Sequence, residues 1–114
     1  MAAQEKSFLV IKEMSSDLRD PSVWGPKFWA TYDIIAETYP KHPDKKERKA
    51  AIDFFHSQKY LIPCTTCAHN YQKVYRKYPP DVSSRKALKK WLLLLKEKVA
   101  EHVEKEKQQQ QQNK

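Results

Sequence analysis

Apolar residues recur at intervals of three and four in four segments of this chain, the spacing that places side chains on one face of an α-helix. The segments cover residues 24–39, 51–55, 67–78 and 88–103, and proline-containing stretches such as YPKHP at 39–43 separate them. No segment shows the strict alternation of a half-buried strand, and there is no internal repeat. The pattern therefore predicts an all-α fold, a small helical bundle.

Residues suited to helix starts precede these segments. Ser22 is expected to cap the first helix, and Pro43 or Asp44 to open the second. Pro63 suits the first turn of the third helix, because the N–H that proline lacks would have no intrahelical partner there. Ser83 is expected to cap the fourth helix. These positions predict four helices joined by short connections.

The polarity of the chain divides it into three parts. Residues 1–20 form an N-terminal extension with one apolar group, Phe8–Ile11, and residues 21–103 form the helical bundle. Residues 104–114, EKEKQQQQQNK, have no apolar side chain to bury. We therefore expect them to be a disordered, glutamine-rich tail.

Length and composition exclude several classes of protein. A chain of 114 residues forms one domain, and its net charge of +8 attracts polyanions. The single glycine, Gly25, excludes Rossmann fingerprints and P-loops, which need several glycines around phosphate. The longest apolar run, WLLLL at 91–95, is far shorter than the roughly 20 residues that span a bilayer. The start lacks a secretory signal, so we expect no membrane span and a cytoplasmic location.

Both cysteines lie in the motif IPCTTC, at Cys64 and Cys67. At the start of a helix, unpaired N–H groups stabilise a thiolate and lower the pKa of a cysteine. A separation of three places both thiols on one face, near enough to form a disulfide. Such a pair can exchange with a dithiol, the outer Cys64 first and the deeper Cys67 afterwards.

Three other interpretations of the motif need to be weighed. A zinc site would require two more ligands, and the histidines lack the paired spacing that such sites use. Covalent haem attachment requires histidine directly after the second cysteine, where Ala68 stands. Two packed thiols without chemistry stay open as an interpretation, because free cysteine packs as a small hydrophobic residue. We expect no metal site.

Four fragments occur in a characteristic order: WGPKFW at 24–29, ETYP at 37–40, IPCTTC at 62–67 and PPDVSSRKALKKWL at 79–92. In this order and at these intervals the chain resembles the Erv/ALR family of FAD-linked sulfhydryl oxidases, especially the short forms of large DNA viruses. The resemblance covers about residues 23–103. It implies a four-helix bundle that holds FAD at its mouth, a short fifth helix and a homodimer.

The resemblance also implies an activity, the oxidation of protein dithiols to disulfides with reduction of O2 to H2O2. Cys67 would lie beside the isoalloxazine, and Cys64 would form the mixed disulfide with the substrate. No second cysteine pair is available to relay electrons, so the partner would be a protein dithiol or a thioredoxin-like carrier. The implied location is the host cytoplasm or virion, and the mitochondrial intermembrane space also houses relatives of this fold.

Flavin contacts can be transferred from the family residue by residue. The matching positions are Trp24, Gly25, Trp29 and Tyr39, which offer aromatic walls and a close backbone approach. Lys96 is expected to meet the phosphate or adenine portion of FAD.

Five residues depart from the family pattern at positions that usually contact flavin or carry a cysteine: Asp33, Leu93, Lys96, Glu97 and Ala100. Two hypotheses fit. Either FAD binds with altered polar contacts, or the bundle is a non-catalytic interaction module that has lost flavin binding. Leu93 favours the module slightly, because it makes the helix more apolar than a flavin-lined face requires.

A nucleic-acid surface is a third, less favoured interpretation. Lysines and arginines cluster at 45–49, 76–77 and 85–90. Charge runs on helices are usually solvated faces, and the motif aromatics belong to the core. We expect no nucleic-acid partner.

Overall fold

The computed structural model describes residues 17–112 and contains four α-helices there, with no strand in that range. They are α1 (Pro21–Thr38), α2 (Lys45–Leu61), α3 (Thr65–Lys77) and α4 (Arg85–Gln112). The long helix α4 packs against both α1 and α3, and α2 packs against α3. The predicted all-α, four-helix fold is confirmed, and the described range has no fifth helix.

The start of α1 differs from the prediction in its capping residue. Asp20, rather than Ser22, is the N-cap, and its carboxylate accepts hydrogen bonds from the Ser22 N–H (2.9 Å) and hydroxyl (2.8 Å). Those two bonds lower the pKa of Asp20. A carboxylate is the stronger acceptor at this point, because it carries the charge that the helix N-terminus favours.

The predicted start of α2 is correct. Asp44 and Glu47 form a capping box, in which each side chain accepts the backbone N–H of the other residue (2.8 and 2.9 Å). Two backbone donors that lack intrahelical partners are satisfied in this way.

Helix α3 begins two residues later than predicted. Pro63 lies outside the helix, and Cys64 is its N-cap, with extended backbone angles. The Cys64 Sγ accepts the Cys67 N–H at 3.3 Å, and the Cys64 carbonyl accepts the Ala68 N–H at 2.8 Å. The sulfur thus performs the capping role that usually falls to an oxygen.

Helix α4 departs from the prediction at both ends. Ser84, rather than Ser83, accepts the Ala87 N–H at 3.0 Å, because Ser83 donates its hydroxyl to Asp81 instead. The helix then continues to Gln112 through the segment predicted to be a disordered tail. Glutamate, lysine and glutamine all have good helix propensity, so the helix persists without an apolar stripe to bury. The three-part division of the chain stays a prediction, and Phe8–Ile11 lie outside the described residues.

The core lies between the four helices, each of which contributes buried side chains. Phe55, Leu88 and Leu95 are its largest fully buried side chains, and the rings of Phe55 and Trp91 meet edge to face at 5.0 Å. The Tyr71 hydroxyl donates to the Phe55 carbonyl at 2.7 Å. These contacts fix the relative positions of α2, α3 and α4. None of the helices described is long and apolar enough to cross a membrane.

Candidate active site

The two cysteines lie at the junction between α2 and α3. Both thiols are free and half-buried, so their exposure does not separate the outer and deeper sulfurs that the sequence predicts. Cys64 caps α3 and Cys67 follows in its first turn. The Cys67 N–H donates to the Cys64 sulfur at 3.3 Å. The motif therefore brings the two cysteines together at one end of the bundle.

The expected lowering of the cysteine pKa is wrong for Cys67. Burial, as the main cause, and the hydrogen bond to Cys64 raise the pKa of the Cys67 thiol to about 12. The charges of Cys64 and Glu106 add to the rise, since a like charge disfavours a thiolate. Desolvation therefore raises the pKa of Cys67 by more than the helix N-terminus lowers it. In the dithiol state, Cys67 is protonated at neutral pH.

A cavity of about 550 Å³ opens beside the cysteines. This volume falls within the range of roughly 300–1,000 Å³ typical of small-molecule sites. Its walls come from α1, the start of α3 and the second half of α4. Its lining includes Trp24, Gly25, Phe28, Trp29, Tyr32, Cys64, Cys67, Asn70, Val99 and Glu106. The cavity is thus an aromatic and aliphatic space with both thiols in its wall.

The aromatic wall is held by contacts among its own members. Trp24 and Phe28 meet edge to face at 5.0 Å, and Trp29 and Tyr32 do so at 5.7 Å. The Trp24 indole N–H donates to the Arg19 carbonyl at 2.9 Å, which fixes the ring at the mouth. Edge-to-face pairs are worth about 0.5–1.5 kcal/mol beyond the buried area. The wall is therefore formed before any ligand arrives.

Gly25 leaves open space at the position where the sequence predicts a close backbone approach. It is buried, it lines the cavity, and a Cβ built on it would meet no atom within 4 Å. Space is therefore open on the side where other residues carry a side chain. Glycine in a helix costs roughly 0.5–1 kcal/mol relative to alanine, so its presence here is consistent with a ligand passing close to the backbone.

The sequence did not predict the polar part of the cavity wall, which Asn70 and Glu106 form. The buried Asn70 donates from its side-chain amide to the Glu106 carboxylate at 3.0 Å, and both residues line the cavity with Cys67. Asn70 follows Cys67 by three residues on α3, a spacing that marks it as a neighbour. Glu106 gives no such signal, because it lies in the segment predicted to be a disordered tail.

Two predicted flavin contacts do not line the cavity. Tyr39 is a core residue whose hydroxyl donates to the Val82 carbonyl at 2.9 Å, and burial raises the pKa of this phenol. Lys96 reaches the Asp33 carboxylate, with both oxygens at 2.8 Å. Its Nζ lies 5.8 Å from the Trp29 ring centre. Lys96 therefore stands next to the wall but outside the space itself.

The residues that depart from the family pattern also lie outside the cavity. Leu93, which is expected to make the site more apolar, is 67% exposed and does not fill it. Glu97 and Ala100 are exposed as well. Asp33 is occupied by its ion pair with Lys96. The cavity therefore keeps its aromatic walls and thiols in spite of the departures, and among residues 17–112 no three metal-ligating side chains converge.

The model of the Erv1/Alr family matches residues 26–114 of the chain. The chain belongs to the Erv1/Alr family. The predicted resemblance is confirmed.

Individual relatives agree with the family assignment. The chain is 40% identical over 68 residues to a protein of Invertebrate iridescent virus 6 whose name places it among the FAD-linked sulfhydryl oxidases. That alignment covers 57% of this chain and 61% of the viral protein. The FAD-linked sulfhydryl oxidase ERV2 of Saccharomyces cerevisiae is 27% identical over 113 residues, covering 92% of this chain and 58% of the yeast protein. The chain thus spans about three fifths of the length of these relatives.

The fold also matches a solved structure, the crystal structure of the yeast Erv1 core. The two superpose with a TM-score of 0.72 at 26% identity, over 79% of this chain and 76% of that one. The helical arrangement is therefore that of an Erv1 core.

Proposed function

We propose that this protein is a FAD-dependent thiol oxidase, which converts protein dithiols to disulfides and reduces O2 to H2O2. The observation that carries the proposal is the position of Cys67 in the wall of the aromatic cavity, with Cys64 beside it. The names of the relatives, which call them FAD-linked sulfhydryl oxidases, point to the same activity.

The residues present fit the aromatic part of a flavin. Trp24, Phe28, Trp29 and Tyr32 supply apolar walls, and Gly25 leaves open space in front of its Cα. No lysine or arginine lines the cavity among residues 17–111, so cations for the diphosphate would come from its surroundings, where Lys96 stands beside Trp29. When bound, the flavin would accept the two electrons of the dithiol and deliver them to O2.

The substrate step needs only the two cysteines. A substrate thiolate attacks the Cys64 sulfur of the Cys64–Cys67 disulfide, forms a mixed disulfide and releases Cys67. Because its pKa is raised to about 12, the released Cys67 takes up a proton at neutral pH. The second substrate thiolate then attacks the substrate sulfur of the mixed disulfide and releases Cys64. The substrate leaves as a disulfide, and its two protons and two electrons stay with the cysteine pair.

Two residues would hold the redox pair in position during this exchange. The Cys64 sulfur accepts the Cys67 N–H, which keeps the loop closed on the start of α3. The buried Asn70 donates to the Glu106 carboxylate and fixes it in the cavity wall, where its charge adds to the raised pKa of Cys67.

The non-catalytic module is not favoured by any observation. The residues that support it in the sequence all lie outside the cavity: Asp33, Leu93, Lys96, Glu97 and Ala100. Leu93 is exposed to solvent. Homodimerisation, and a location in the cytoplasm, the virion or the mitochondrial intermembrane space, stay predictions of the family resemblance.

Reconstitution with FAD tests the proposal. Purified protein should take up FAD, show the visible absorbance of bound flavin, and oxidise dithiothreitol with one H2O2 formed for each disulfide. The Cys64→Ser, Cys67→Ser double variant should keep the absorbance and lose the oxidation. A preparation that stays colourless with excess FAD would contradict the proposal, and so would a double variant that still turns over.

A further inference from the structure

The surface around the cysteine motif has an unusual charge. Between residues 54 and 80 the sequence contains four lysines and arginines and two histidines but no aspartate or glutamate. This stretch forms the second half of α2, the cysteine loop and all of α3. All acidic residues of the chain lie before or after this stretch. The cysteine-bearing hairpin is therefore uniformly cationic.

A groove of about 290 Å³ runs along this hairpin, and we call it the basic groove. It is lined by Lys59, Tyr60, Gln72, Tyr75, Arg76 and Pro79. No acidic side chain lines it within residues 17–111. Its shape is fixed by internal contacts, since the Gln72 amide donates to the Lys59 carbonyl at 2.9 Å and the Lys59 Nζ lies 4.0 Å from the Tyr75 ring centre.

Two large apolar side chains connect the basic groove to the cysteines. Tyr60 is 72% exposed and Leu61 is 65% exposed, at the end of α2. Only Ile62 and Pro63 separate them from Cys64. At a maximum of about 3.6 Å per residue, Tyr60 lies within about 14 Å of Cys64. Adjacent exposed apolar side chains of this size commonly mark a surface that meets a partner.

Helix α3 makes the same connection along its axis. Thr65, His69, Gln72 and Arg76 follow at intervals of four, three and four, so they share one face of the helix. This face begins at the residue after Cys64 and ends in the basic groove. A chain segment lying along it would reach both the cations and the reactive sulfur.

We propose that the basic groove, together with Tyr60 and Leu61, docks an acidic, extended protein segment that carries the substrate dithiol. This inference rests on the proposed thiol oxidase function and names its class of partner. Cations on Lys59 and Arg76 would meet carboxylates of the segment, and the exposed apolar pair would contact side chains close to its cysteines. The groove accommodates a short segment rather than a folded domain. Encounters steered in this way are fast and salt-dependent.

Three reduced probes test the proposal: dithiothreitol, a synthetic peptide with a Cys-x-x-Cys core flanked by glutamates, and the same peptide flanked by lysines. At about 10 mM salt, where the Debye length is roughly 30 Å, the acidic peptide should be oxidised with a kcat/KM at least about tenfold above that of the basic peptide. The advantage should shrink towards unity at 0.5 M salt. Equal rates for the two peptides at low salt would overturn the proposal.

Two double variants of equal net charge locate the effect. Lys59→Gln with Arg76→Gln removes the cations of the groove, whereas Lys45→Gln with Lys46→Gln removes two exposed cations at the start of α2. The control pair lies about 20 Å from Lys59 along the helix, at 1.5 Å per residue. We expect the groove variant to lose most of the acidic-peptide advantage and the control to keep it, with dithiothreitol oxidation unchanged in both. Equal losses in the two variants would mean a general charge effect and would overturn the docking site.

A binding measurement keeps the docking site testable if no turnover occurs. A fluorescent acidic peptide with serines in place of its cysteines should bind the wild type and the control variant more tightly than the groove variant, by fluorescence anisotropy. If the protein does not oxidise dithiothreitol, the proposed function is rejected. Tighter binding of the acidic peptide by the wild type than by the groove variant would still support the docking site. A labelled single-stranded oligonucleotide that binds the groove more tightly than the acidic peptide would overturn the proposal in favour of a nucleic-acid surface.

Discussion

Helix α1 has two halves that differ in chemistry. Its first half carries Trp24, Gly25 and Trp29, which line a cavity that also contains the thiols. Its second half carries Asp33 and Glu37, which pair with Lys96 and Lys89 of α4 at 2.8 and 2.9 Å. The family pattern is kept in the first half, and Asp33 departs from it in the second. The difference teaches that two of the altered residues, Asp33 and Lys96, are partners of one another, and that they leave the cavity open.

The largest effect is expected at the cavity that the first half of α1 lines, in the reactivity of Cys67. Its pKa is raised from the ordinary 9.0 to about 12, mainly by burial. At pH 8 a shift of about three units leaves about a thousandfold less thiolate than in an exposed cysteine. Brief iodoacetamide treatment of the reduced protein, followed by peptide mapping, should show Cys67 labelled slowly at pH 8 and faster as the pH rises. Labelling at pH 8 as fast as that of a free thiol would place Cys67 outside the cavity wall.

The same shift predicts a change of stability with pH. Between about pH 9 and pH 12 the folded protein holds a proton on Cys67 that the unfolded chain has released. The free energy of unfolding therefore falls as pH rises through this window. Denaturant titrations of the reduced protein at pH 8 and pH 10.5 measure this. A matched Cys67→Ser variant should lose less stability over the same interval.

Removal of the aromatic wall should have the next largest effect. Trp29→Ala takes away a ring that lines the cavity and that packs on Tyr32 at 5.7 Å. Because burying one large apolar side chain contributes roughly 1.5–3 kcal/mol, we expect FAD to bind about ten- to a hundredfold more weakly. Flavin fluorescence titration measures this. Unchanged affinity would remove Trp29 from the proposed site.

The smallest effect is expected in the second half of α1, at the ion pair of Asp33 with Lys96. Lys96→Gln breaks an ion pair whose side chains are 36% and 48% exposed. Such partly exposed pairs contribute about 0–1 kcal/mol, so the midpoint of unfolding should barely change. FAD affinity should fall less than it does in Trp29→Ala. Lys89→Gln, which breaks the neighbouring pair with Glu37, is the matched control. A loss of FAD affinity in Lys96→Gln as large as that in Trp29→Ala would contradict the comparison.

The sequence predicts the fold and the cavity-lining first half of α1 well, for a local reason. Helix periodicity and proline positions indicate four helices, and aromatic residues at intervals of four and five on α1 face one way. The spacing of three residues is enough to predict that Cys64 and Cys67 lie close together. Trp24, Gly25 and Trp29 do lie around one cavity with the cysteines.

Features that depend on contacts between distant residues could not be predicted. Asp33 and Lys96 are both recognisable as departures, but their pairing depends on the register of α1 against α4, 63 residues apart in the chain. Glu106 joins the cavity only because α4 continues to Gln112. Tyr39 carries the same pattern as the other aromatics of α1, yet its hydroxyl reaches Val82 and the ring belongs to the core.

The central claim is that the aromatic cavity holds a flavin beside Cys67, and the most direct test fills the space in front of Gly25. Since a Cβ there meets no atom within 4 Å and Gly25 lines a cavity of about 550 Å³, we expect Gly25→Leu to keep the fold. We expect it to take up no FAD in a spectrophotometric titration, whereas Ala30→Leu, an exposed position on the same helix, should bind one FAD per chain as the wild type does. Equal FAD binding by Gly25→Leu and the wild type would contradict the account.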